Sequence, residues 1–223
     1  MRAIIFDLDG TLIDSHQDIL AAFSKAFEGL GVPLPPEELL ISVIGRRLED
    51  CFTRFLDGDA RLGEEGARLF RAWYQTHYRD ATRPYPGAEK ALRRLAERAP
   101  LAVCTMKKGI YAREIVRSFG WEPFFKTVVG SEEGLPPKPD PAMLLESCRR
   151  LGAAPGESLY VGDTSLDARM ALAAGVPFAF AAYGYGSLDG ERDLPLPRLV
   201  RAPADLGELV APDAPNAADL PSA

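Results

Sequence analysis

Cysteine is scarce in this chain. The three residues, Cys51, Cys104 and Cys148, are odd in number and lack the spacing of a metal-ligand set. That excludes a disulfide framework and fits a reducing compartment. Histidine is scarcer still, with only His16 and His77. Neither lies near Cys104 in sequence, so a Cys–His nucleophile pair is not indicated, and Cys104 reads as a small apolar strand residue. No stretch approaches the ~20 apolar residues of a membrane span. The apolar opening Ala3–Phe6 is too short for a signal-peptide core, so the expectation is a cytoplasmic protein with no membrane partner. Polybasic runs are missing too. With 26 basic against 32 acidic side chains the net charge is −6, and nucleic acid is not the expected partner.

What is present is an ordinary globular composition, 47% hydrophobic over 223 residues, enough for one core or a core with a smaller insert. Short apolar runs lead into polar or turn residues: Ala3–Phe6, Leu101–Cys104, Thr127–Val129, Leu159–Val161 and Pro177–Phe180. Continuous runs of this kind read as strands buried on both faces of a parallel sheet. Helical patterns separate them at Gly87–Arg98, Ile110–Phe119, Pro141–Leu151 and Leu166–Ala174, with Gly120, Gly152 and Gly175 placed as C-terminal caps. The alternation predicts a doubly wound, Rossmann-like α/β fold.

From Ser15 to Thr82 the alternation stops and only helical periodicity remains. Ser15 and Asp18 read as an N-terminal cap before Ile19, and Pro35-Pro36 and Gly58–Gly63 as turns. The division is therefore a core of residues 1–14 and 83–211, a helical cap domain over 15–82 inserted after the first strand, and a disordered tail over 212–223.

The sharpest motif is Phe6-Asp7-Leu8-Asp9-Gly10-Thr11. An Asp-x-Asp-Gly-Thr match arises by chance in roughly a few chains per thousand of this length. It leaves the carboxyl end of a buried strand, where ligands bind in open α/β sheets. A carboxylate can attack the phosphorus of a monoester and later be released by water. A second carboxyl nearby can act as acid, then base, and Mg²⁺ can offset the repulsion between the two anions. A second acidic cluster, Gly162-Asp163-Thr164-Ser165-Leu166-Asp167, follows another predicted strand. Taken alone it is equally a helix cap through Asp163 or Ser165. Lys138 sits in the stiff loop Pro136-Pro137-Lys138-Pro139-Asp140-Pro141, and Thr105 ends the second strand; singly, both are common surface or strand-end residues.

In sum and in order, these segments resemble the haloacid dehalogenase superfamily, over about residues 1–185, and within it the phosphoglycolate phosphatase/β-phosphoglucomutase branch. The resemblance implies roles residue by residue. Asp7 would be nucleophile and metal ligand. Asp9 would be the acid/base, its carbonyl a second ligand, and Asp163 the third. Thr105, the Met106 backbone and Lys138 would bind phosphate, and Asp167 would support the metal or Lys138. It also implies a central first strand and, in some relatives, a cis Lys138–Pro139 peptide. Arg46 and Arg47 in Gly45-Arg46-Arg47 resemble the cap's specificity loop. Thr105-Met106-Lys107 departs from the frequent Thr-Asn-Lys, so no side-chain amide is offered there.

The expected activity is Mg²⁺-dependent hydrolysis of a small phosphomonoester, phosphoglycolate-like, by a monomer or homodimer. A sugar phosphomutase shares every core motif. A dehalogenase would leave Asp9 and the second acidic cluster without a use, and a silent binding protein would leave the whole set so.

Overall fold

The computed structural model describes residues 1–132, 134–188 and 191–209. Six parallel strands form one sheet: β1 (Ala3–Phe6), β4 (Leu101–Cys104), β5 (Phe125–Val129), β6 (Ser158–Gly162), β7 (Phe178–Ala181) and β8 (Arg198–Val200). Their order is β5-β4-β1-β6-β7-β8. β1 is central, with Phe6 opposite Val103 of β4 and Val161 of β6. The five expected strands are all present. β8 was not anticipated, because its mostly exposed residues give a short edge strand no continuous apolar run.

Alternate residues of β1 face opposite ways, as strand geometry requires. Ile5 packs with Ala102, Cys104, Met143, Leu144 and Tyr160 on one face. Ile4 and Phe6 pack with Leu101, Val103, Leu159 and Val161 on the other. Helices α7 (Ala142–Leu151) and α8 (Ser165–Ala174) cover the first face. α5 (Ala88–Ala96) and α6 (Gly109–Ser118) contribute to the second. Burial on both sides explains why these strands read as unbroken hydrophobic runs.

Between β1 and β4 the chain leaves and returns through a two-stranded antiparallel ribbon, β2 (Ile13–Asp14) on β3 (Arg83–Pro84). The inserted segment is helical: α1 (His16–Leu30), α2 (Glu37–Ile41), α3 (Leu48–Phe55) and α4 (Ala60–His77). Its core is aromatic, with Phe23 against Phe52 and Phe70 at centroid distances of 5.2 and 5.0 Å. The turn before α4 ends at Asp59, whose side chain caps the helix by accepting from the Leu62 amide. Gly63 lies inside α4, not in the turn as expected. A Cβ there would stand 2.1 Å from Thr53 Oγ1, so the glycine lets α3 and α4 approach.

Ser15 occupies the N-cap position of α1 but makes no capping bond with its side chain. Its hydroxyl is engaged by Asp9, and Asp18 turns inward to accept from Ala81 N, Thr82 N and Thr82 Oγ1 at 2.8, 2.8 and 2.6 Å. The expected local cap is thus replaced by bonds outside the helix, to Asp9 for Ser15 and to the distant Ala81 and Thr82 for Asp18. Before α8 the cap is Thr164, in a reciprocal box with Asp167, and not Asp163 or Ser165. Among the described residues no helix is long and apolar enough to cross a membrane. The tail read as disordered, 212–223, lies outside the described residues.

Candidate active site

Three strand ends and one loop bring the predicted residues together. Asp7 follows β1, Thr105 follows β4, Asp163 follows β6, and Lys138 enters from the loop before α7 through a cis peptide to Pro139. Carboxylate oxygens of Asp7, Asp163 and Asp167 all lie within 4.8 Å of one another. Lys138 Nζ stands 2.9 Å from Asp7 Oδ2 and 2.6 Å from Asp167 Oδ1. Acids separated by some 150 residues in sequence can therefore contact a common ion.

The three carboxyls are not equivalent. Asp167 accepts four donors: Lys138 Nζ and Tyr160 OH (2.7 Å) on Oδ1, Thr164 N (3.0 Å) and Thr164 Oγ1 (2.6 Å) on Oδ2. That occupies most of its lone-pair sites and fixes Lys138 over Asp7. Asp163 takes a single donor on each oxygen, Thr11 Oγ1 on Oδ1 and Tyr185 N on Oδ2, both at 2.9 Å. Asp7 Oδ1 accepts the Leu8 amide at 2.7 Å. Asp7 and Asp163 thus keep acceptor capacity that Asp167 has spent.

The electrostatics follow from crowding acids in a dry place. Burial pushes the Asp7 carboxyl up to about 6, with the Lys138 charge opposing it and Asp167 and Asp9 adding to it. Burial, then the charges of Asp167 and Asp7, hold Asp163 well above the usual carboxylate range. Burial acts on Asp167 too, but the Lys138 charge and the donors from Lys138, Thr164 and Tyr160 outweigh it and hold this acid below its ordinary value. Burial works against the Lys138 ammonium, yet the Asp167 and Asp7 charges win and raise its pKa. Three buried carboxyls against one ammonium leave an uncompensated negative charge. A small oxygen-preferring divalent cation fits that donor set.

Gly10 shows how tightly the site is built. Its φ is +79°, and a Cβ would stand 2.3 Å from Asp163 Oδ2. The glycine of the motif thus lets the Asp163 carboxylate approach the β1 turn.

Asp9 faces the insert. Its Oδ1 accepts Ser15 Oγ at 2.5 Å and lies 3.0 Å from Lys107 Nζ. Lys107 also donates to the Tyr74 hydroxyl of α4. Burial opposes the charge on Lys107, and Asp9 and Tyr74 raise its pKa nonetheless. Thr105 Oγ1 accepts the Lys107 amide at 3.2 Å, which leaves the hydroxyl proton free to donate elsewhere. Asp9, Met106, Lys107, Arg46, Arg47 and Tyr74 line one cavity of about 310 Å³ between insert and core. Arg47 pairs with Glu49 at 3.3 Å.

Several contributors escaped the sequence reading: Ser15, Thr11, Lys107, Tyr74, Tyr160 and Tyr185. Thr11 and Lys107 stand inside motifs already singled out, so their adjacency was a usable signal. Tyr74, Tyr160 and Tyr185 carry none, because only the fold brings them to the acids.

Comparison with known proteins identifies the family. The family model described as haloacid dehalogenase-like hydrolase matches residues 4–181. A phosphoglycolate phosphatase from Cereibacter sphaeroides is 39% identical over 194 residues, covering 83% of this chain and 87% of the relative. One from Neisseria meningitidis is 33% identical over 195 residues, covering 84% and 83%. Among solved structures, a haloacid dehalogenase-like family hydrolase from Streptococcus pneumoniae superposes with a TM-score of 0.85 at 25% identity, over 92% of this chain and 96% of that one. A family match running from β1 through β7, over the same span as the acid cluster, places this chain among the haloacid dehalogenase-like hydrolases.

Proposed function

We propose that the protein is a Mg²⁺-dependent phosphatase acting on a small phosphomonoester, phosphoglycolate-like, with Asp7 as nucleophile. The convergence of Asp7 and Asp163 carboxylates within 4.8 Å, at the carboxyl ends of neighbouring strands, carries the reading. The names of the relatives support the substrate class.

Mg²⁺ would be held by Asp7, Asp163 and the Asp9 carbonyl, and when bound it offsets the charge of carboxylate and phosphate in one place. Asp7, with its pKa near 6, is mostly ionised at neutral pH and can attack phosphorus. A bond forms from an Asp7 carboxylate oxygen to phosphorus as the bond to the leaving oxygen breaks. Asp9 gives that oxygen its proton. In the second half Asp9 takes a proton from water, whose oxygen attacks phosphorus and restores Asp7. Lys138, fixed by Asp167, supplies a permanent positive charge beside the transferring group. The Thr105 hydroxyl and the Met106 amide donate to phosphate oxygens. Arg46 and Arg47 line the cavity where a leaving group would lie, and an anionic one gains most from them.

The test is turnover of p-nitrophenyl phosphate under three conditions: with Mg²⁺, with EDTA, and with Mg²⁺ on the Asp7→Asn variant. Activity is expected only in the first. Equal rates in all three contradict the mechanism. A panel of phosphoglycolate, sugar phosphates and nucleotides then ranks substrates by kcat/KM.

A further inference from the structure

Tyr185 lies outside every motif, yet it touches both the start of α1 and Asp163. Its phenol oxygen accepts the amides of Ser15 and His16 at 2.6 and 3.1 Å and donates to Asp14 Oδ1 at 2.9 Å. The His16 amide is one of the four N–H groups that α1 leaves without an internal partner. The backbone amide of Tyr185 donates to Asp163 Oδ2 at 2.9 Å. The flanking glycines allow this approach: a Cβ at Gly184 would stand 2.3 Å from Asp163 Cβ, and one at Gly186 2.3 Å from the Asp163 carbonyl oxygen.

Serine at an N-cap normally spends its oxygen on the first-turn amides of its own helix. Ser15 does not. Its hydroxyl donates to Asp9 Oδ1 at 2.5 Å, while the start of α1 is held from across the molecule by Tyr185. The Ser15 side chain reaches Asp9 and makes no cap bond, so the first turn of α1 relies on Tyr185 for acceptors that its own N-cap does not supply.

We propose that Tyr185 is a positioning residue that holds the first turn of α1, and so keeps the Ser15 hydroxyl on Asp9 and that carboxyl aligned for proton transfer. The proposal rests on the phosphatase reading, in which Asp9 protonates the leaving oxygen. Tyr185→Phe removes the hydroxyl alone and keeps the ring and the Asp163 contact.

Three measurements on the full chain test it, at a temperature where wild type and variants are folded by circular dichroism. The reading on which it rests is checked first, by Mg²⁺-dependent turnover of the wild type and its loss in Asp7→Asn. Amide exchange at Ser15 and His16 should quicken more than tenfold in Tyr185→Phe. For an alkyl phosphate, whose leaving oxygen needs the proton, kcat/KM should fall about tenfold. For p-nitrophenyl phosphate, whose leaving group needs it far less, the fall should stay within about twofold. Ser15→Ala should reproduce that split, Ser15→Thr should restore most of the activity, and the double variant Ser15→Ala/Tyr185→Phe should be no worse than the poorer single variant. Equal losses on both substrates, multiplying losses in the double variant, or unchanged exchange would each overturn the proposal.

Discussion

At the scale of single residues, the site is a set of carboxyls made unequal by their partners. Asp167 is saturated with donors and serves Lys138, while Asp7 and Asp163 keep open lone pairs. The close approach that brings Asp163 to β1 depends on Gly10. Gly10→Ala forces an L residue to φ +79° and drives a methyl into the Asp163 carboxylate. The fold should lose about 1–3 kcal/mol from the backbone conformation alone, and the dependence of activity on Mg²⁺ should shift to higher concentration. Denaturant titration reads the first and an activity titration the second. Unchanged values in both would show that the turn relaxes without moving Asp163. The Asp-x-Asp-Gly-Thr string displayed the nucleophile, the acid and the turn glycine openly, because they lie on consecutive or alternate positions; Thr11 stood in the same string, but its bond to Asp163 spans 152 residues and left no local sign. The tyrosines stayed hidden: Tyr160 reaches Asp167 with its hydroxyl from within β6, and Tyr185 belongs to a loop, so neither leaves a periodic or spaced signal.

At the scale of elements, one buried acid ties α1 to the segment that leads into the returning strand β3. Asp18 accepts Ala81 N, Thr82 N and Thr82 Oγ1, and of these donors the Thr82 hydroxyl also reaches the Tyr78 carbonyl, at 3.4 Å. Asp18→Ala leaves amide donors without acceptors in a half-dry corner. The expected cost is about 2–4 kcal/mol, from one or two orphaned donors and a lost charge-assisted bond. The midpoint of denaturant unfolding measures it, and Asp18→Asn should recover part of the loss by keeping one carbonyl acceptor. A change below ~0.5 kcal/mol would mean that water replaces the carboxylate. The helices themselves were legible from their apolar periodicity and their glycine stops; Gly152 and Gly175 do adopt left-handed caps at φ 65° and 66°. Caps were less legible. Ser15 and Asp18 had the right types at the right offset for a local cap, but Ser15 was recruited by Asp9 before the helix and Asp18 by Ala81 and Thr82 far along the chain.

At the scale of the whole molecule, acids packed without a matching number of cations make metal and protons competitors. Without metal, folded Asp7 holds its proton up to about pH 6, whereas an unfolded Asp releases it near pH ~3.9. The folded state then binds more protons than the unfolded state between those values. Stability of the metal-free protein therefore falls as pH rises from ~4 through 6, by on the order of 3 kcal/mol from Asp7 alone, and Asp163 acts in the same direction. Above that window a divalent cation should offset the repulsion. Mg²⁺ at about 100 times its Kd should add about 2.7 kcal/mol of stability at pH 8 and much less at pH 5, where protons hold the acids. Thermal unfolding with and without Mg²⁺ at the two pH values measures the difference. An equal Mg²⁺ effect at both would place the cation elsewhere than on Asp7 and Asp163.

The passage between sheet and insert has a consequence of its own. Outgoing and incoming chain run side by side, Ile13 opposite Pro84 and Asp14 opposite Arg83. A foreign helical bundle spliced at that seam would meet the same two ends at the same spacing and leave the sheet's threading intact. If the insert sets selectivity, that property is open to transplantation, provided the graft keeps a hydroxyl where Ser15 meets Asp9 and a partner where Tyr74 meets Lys107.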